Sequence, residues 1–119
     1  MRYEVYFIFD RGQQLEGIVF IELLRRGYQV HVGRMGSTEI DFVAERGQQR
    51  WYIQVTWSMA NEVTRERELA PLRQITDAFP RLVLTMDRTD VGTGVTADGI
   101  QIMHAVDWLL GEGTLPGQY

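Results

Sequence analysis

Glu16, Asp41, Gln54 and Thr56 have the types and spacing to do chemistry together. Asp41 falls in "TEIDFVA" (38–44), and Gln54 and Thr56 fall in "WYIQVTW" (51–57), with the polar turn "RGQQ" between the two segments. Both segments read as strands, along which successive side chains point to opposite faces. Regular alternation puts Glu39, Asp41 and Val43 on one face and Ile40 and Phe42 on the other. On the next strand Tyr52, Gln54 and Thr56 oppose Trp51, Ile53, Val55 and Trp57, an apolar set expected in a core. A hairpin that matches the polar faces brings Asp41 across from Gln54. An aspartate, an amide oxygen and a helix carboxylate together suit a hard divalent cation such as Mg²⁺. Glu16 is the expected helix member, with Glu22 as second choice. The plainer alternatives are solvated helix glutamates, an Asp41 paired with an arginine, and a Gln54 amide that satisfies buried backbone groups. His31 and His104 lack ligand spacing and read as structural.

The elements that must position these groups follow from periodicity. "YEVYFIF" (3–9) is rich in strand formers, and 13–27 carries apolar residues at helical spacing before a glycine stop at Gly27. Strands are expected at 28–32, 38–44 and 51–57, joined by short turns that imply an antiparallel meander. A helix over 61–79 has Asn61 as its cap and Leu69, Leu72, Ile75 and Phe79 as its apolar stripe, with a kink or restart at Pro71. The apolar run 81–86 suits a strand covered on both faces. Residues 87–99 read as a mobile glycine-rich loop, 100–104 as a last strand, 105–111 as a short helix, and 112–119 as a flexible tail. The expected fold is α/β with a mixed sheet, because the crossover helix returns the chain parallel to a strand already laid down, and helices cover the sheet faces. The expected organisation is an N-terminal strand extension at 1–12, one domain at 13–111 and the tail. An exposed apolar strand at 3–9 would seek a sheet edge, on this chain or in a homodimer.

Composition narrows the function classes. With 119 residues, 45% hydrophobic and 24% charged, the chain suits one domain. No run of about 18 apolar residues occurs, and the first ten residues lack the pattern of a secretory leader, so a cytoplasmic protein without a membrane partner is expected. The absence of cysteine excludes disulfides and thiolate metal sites. A net charge of −4 argues against nucleic-acid binding by the whole surface, though not by a local arginine patch. All twelve basic residues are arginine, which excludes a P-loop lysine and a lysine Schiff base. "GTGVTADG" reads as a plain loop, and no nucleotide site is expected.

"LEGIVFIELLRRGYQV", "GSTEIDFVA", "WYIQVTW", "RERELAPLRQITDAFPRLVLTMD" and "DGIQIMHAVDWLL" together resemble the C-terminal domain of unknown function found in many bacterial and archaeal AAA+ ATPases. That domain is similar to the PD-(D/E)XK, or restriction endonuclease-like, nuclease superfamily. The resemblance runs from about Leu15 to Leu110 and implies an α-β-β-β-α-β core. It implies Glu16 as the helix acid, Asp41 as the metal-binding aspartate, Gln54 at the second acidic ligand and Thr56 at the catalytic lysine. Two of the four depart from the motif. Glutamine brings no charge to a cation, and threonine cannot stabilise charge growing on a phosphate. The resemblance therefore implies a catalytically impaired nuclease domain with weak Mg²⁺ binding at most. Such a domain would be a detached or remnant module that binds DNA or a protein such as an ATPase, and the alternative is a divergent Mg²⁺-dependent endonuclease.

Overall fold

The computed structural model describes residues 11–111; the strand expected at 3–9 and the tail expected at 112–119 lie outside them. Helix α1 (Arg11–Arg25) leads into strands β1 (Gln29–Met35), β2 (Thr38–Arg46) and β3 (Gln49–Thr56). Helix α2 (Glu62–Arg73), strand β4 (Arg81–Thr85), a single-turn helix α3 (Arg88–Val91), strand β5 (Gln101–His104) and helix α4 (Ala105–Leu110) follow. The five strands form one sheet in the order β1-β2-β3-β4-β5. The first three are antiparallel, while β4 runs parallel to β3 and β5 parallel to β4. The fold is thus the mixed α/β sheet expected from the short turns and the crossover helix.

Two apolar layers sandwich the sheet. Leu15, Val19 and Leu23 recur every fourth residue along α1 and are buried with Trp51, Ile53 and Val55 of β3 and with Ala105 and Trp108 of α4. Burying each such leucine or valine contributes roughly 2 kcal/mol relative to exposure. On the opposite face Leu69 and Leu72 of α2 pack against Ile40, Tyr52, Val83 and Ile102. Asn61 caps α2 by accepting from the Val63 and Thr64 N–H groups. The helix runs through Pro71 without restarting and stops at Arg73, well short of residue 79. Pro71 has no N–H to give to the preceding turn, and the helix ends two residues after it. Phe79 consequently leaves the helical stripe and lies under the Arg50 guanidinium, 5.2 Å away.

The hairpin between β2 and β3 turns through Gly47 at φ +60°, where a side chain would be strained. Its register pairs Phe42 with Ile53 and Val43 with Tyr52. Between β1 and β2 the register shifts, with His31 opposite Val43 but Gly33 opposite Ile40, so Asp41 and Phe42 together face the single residue Val32. This bulge corrects the regular alternation expected for β2. Ile40 and Val43 both join the α2 layer, and Phe42 joins the α1 layer. Gly33 fits beside the bulge because it has no side chain. A Cβ there would stand 2.9 Å from Val43 Cγ2 and 3.1 Å from Ile40 Cβ.

Two further expectations are corrected. Trp57 is 41% exposed rather than part of the core, because β3 ends at Thr56 and the chain turns away. Residues 87–99 are tied down rather than a free loop. Asp87 caps α3, and the buried Asp90 carboxylate accepts from the Met59 N–H and the Thr85 hydroxyl, both at 2.7 Å. Thr96 then bonds with Ile100 beside the start of β5.

Candidate functional site

A cleft of about 530 Å³ opens between the first turns of α1, the end of β3 and the middle of α2. Glu16, Thr56, Trp57, Arg11, Arg67 and Glu68 line it. The two arginines supply its cations, and the Arg11 guanidinium sits 5.3 Å from the centre of the Trp57 ring, a distance suited to cation–π attraction.

Beside the cleft the ladder between β2 and β3 gives way to side-chain bonds. The Asp41 N–H donates to Gln54 Oε1 at 2.8 Å, and the Val55 N–H donates to Asp41 Oδ2 at 2.8 Å. Gln54 is buried, and its Nε2 donates to the Glu68 carbonyl at 3.0 Å, so one amide braces β2 against α2. Thr56, also buried, donates its hydroxyl to the Ser58 carbonyl at 3.3 Å and holds the turn after β3.

The side chains of Glu16 and Asp41 come close enough to interact. Burial pushes the Asp41 carboxyl above its ordinary value, opposed by the Val55 N–H and the contact with Glu16. Glu22, the second choice for the helix acid, lies elsewhere. It pairs with Arg25 and Arg26, and the Arg25 hydrogen bond in particular lowers its carboxyl to about 2.

The structure adds Glu68 to the expected residues. Burial, and after it the charges of Asp41 and Glu16, push its carboxyl to about 7 despite the neighbouring Arg67. Its position was encoded: Glu68 directly precedes Leu69 and lies four residues before Leu72, on the flank of the α2 packing stripe. The site therefore contains three carboxyl groups, from α1, β2 and α2.

Among the described residues no group of three or more histidines or acids is placed to hold a metal ion. The Gln54 oxygen accepts from a backbone donor, and Asp41 Oδ2 accepts from the Val55 N–H. What the arrangement can do is store a proton near neutral pH and present arginines and an aromatic ring at the cleft mouth.

Comparison with known proteins finds an uncharacterized protein of Haemophilus influenzae, 38% identical over 122 aligned positions. The match covers 88% of this chain and 28% of that relative, so the chain spans little more than a quarter of the relative's length. No family model matches the sequence, and no solved structure matches it. Among the described residues no helix is long and apolar enough to cross a membrane.

Proposed function

We propose that this chain is a catalytically impaired nuclease-like module of PD-(D/E)XK type that works in the cytoplasm as a binding or accessory domain. The observation that carries the reading is the double hydrogen bond of Gln54, to the Asp41 N–H and the Glu68 carbonyl. A carboxylate at that position could not donate to Glu68. The amide therefore serves the scaffold at the place where the resemblance calls for a charged ligand. Thr56 likewise serves a turn and brings no cation to a reacting phosphate. Arg11, Arg67 and Trp57 remain at the cleft as binding groups for DNA or for an acidic surface of a protein such as an ATPase. Arginine suits phosphate and carboxylate partners by its planar fork, but it is a poor proton shuttle. Mg²⁺ binding is weak on this reading.

The test is digestion of plasmid, single-stranded and branched DNA with Mg²⁺ or Mn²⁺, comparing the wild type with Asp41→Asn. No cleavage above background is expected from either. Cleavage by the wild type that vanishes in Asp41→Asn would overturn the proposal and establish a divergent endonuclease. The double variant Gln54→Glu/Thr56→Lys provides the converse arm, in which cleavage should appear only with Asp41 intact.

A further inference from the structure

Helix α1 is apolar on its outer side as well as its inner one. While Leu15, Val19 and Leu23 face the sheet, Ile18, Ile21 and Leu24 are 51%, 67% and 48% exposed. Phe20 stacks on Phe42 at 6.0 Å between ring centres, and Val32 of β1, the outermost strand among the described residues, is also exposed. An exposed apolar patch rimmed by polar residues marks an interaction surface.

We propose that the outer face of α1 is a self-association surface on which a second copy of this chain docks. Five large apolar residues, each exposing about half of its surface, amount to roughly 500 Å², near the top of the range for the largest patch on a monomer. That is over half of the roughly 800 Å² that one side of a standard interface buries, and the polar rim of Gln14, Arg25 and Gln29 extends it. The patch also meets the condition that symmetry imposes, since a surface that docks on itself must not repel itself. Its centre holds no ionisable group. At its margin Glu22 is neutralised by Arg25 and Arg26 on the same helix. Such depletion of charge at the centre is typical of homodimer interfaces. Gly17 completes the match, because nothing lies within 4 Å of the place its Cβ would take. An antiparallel crossing with the two-fold axis near Ile21 sets Ile18 of one copy against Leu24 of the other and seats that leucine over the Gly17 notch.

The experiment is sedimentation of the full chain from 1 to 100 µM, with Ile21→Glu and Ile21→Arg as variants. Ile21 is mostly exposed, so both variants keep the fold, which circular dichroism verifies. The wild type is expected to dimerise within this range. Each variant alone should be monomeric, because like charges meet on the axis, and an equimolar mixture of the two should recover the dimer. A wild type that stays monomeric throughout would overturn the proposal. So would a dimer indifferent to both Ile21 variants, which would place the contact on another face or on the segment before α1.

Discussion

Asp41 and Gln54 hold each other in place by an exchange in which neither uses the ordinary strand ladder. The Asp41 backbone donates to the Gln54 side chain, and the Asp41 side chain accepts from the backbone of the residue after Gln54. The Asp41 backbone thereby holds the Gln54 side chain and the Val55 backbone holds that of Asp41, and together they close the seam where β2 and β3 part. The polar face of the hairpin is a structural unit before it is a chemical one.

Replacing Gln54 should show this directly. In Gln54→Leu the Asp41 N–H and the Glu68 carbonyl both lose their partner, a loss of about 3 kcal/mol in total. Gln54→Glu retains the acceptor but loses the donor and adds a fourth carboxyl group beside Glu16, Asp41 and Glu68. It should therefore be destabilised more at pH 8 than at pH 5. Urea unfolding at the two pH values measures both effects.

Glu68→Gln should stabilise the protein in a pH-dependent way. The folded state raises this carboxyl from an ordinary 4.5 to about 7, so it binds the proton more tightly than the unfolded chain does. The penalty for ionising it is absent below about 4.5, grows as the pH rises toward 7, and is constant above that. The variant should unfold at a higher temperature than the wild type at pH 8, and the gap should close on acidification to pH 4.5. In Asp41→Asn the Glu68 carboxyl should itself titrate lower, read by NMR, because one of the charges opposing its ionisation is gone.

Asp90→Ala should loosen the far end of the sheet. Its carboxylate is the shared acceptor for Met59 and Thr85, and losing it leaves two buried donors unpaired at about 3 kcal/mol. Hydrogen exchange should quicken at Met59 and through 87–96 before it does so in β2.

Gly33→Ala should destabilise by about 1–3 kcal/mol through overpacking against Val43 and Ile40. A matched Gly36→Ala control has open space around the new methyl group and only its positive φ to contend with. Thermal unfolding of the two separates the close approach from the backbone effect.

Much of this molecule was legible in its residues. The order from α1 to β4, the Asn61 cap, the inward set Trp51, Ile53 and Val55, and the proximity of Asp41 to Gln54 all follow from periodicity and turn chemistry. The bulge does not, because "EIDFVA" satisfies a regular alternation as well as an irregular one, and only the partner strand decides between them. Trp57 misled for a related reason, since β propensity carries no information about where a strand stops pairing. Glu68 was overlooked because a glutamate on a helix flank is usually solvated. What sets this one apart is its burial and, after that, the charge of a β2 carboxylate distant in sequence.

The bulge in β2 has an arithmetic of its own. Delete Asp41, and Ile40, Phe42, Val43 and Ala44 fall into strict alternation between the two layers they already occupy. The strand is thus a regular strand with one residue spliced in, and that residue is the one whose carboxyl meets Glu16. A single-codon deletion would mend the pleat and erase the site in one step, leaving a domain with both of its apolar layers and no acid in that place. The same deletion takes away the partners of Gln54 Oε1 and the Val55 N–H, so the acid of the site is also part of the seam. A chain lacking Asp41 would be the cleanest reference for asking what the other carboxyl groups do without it.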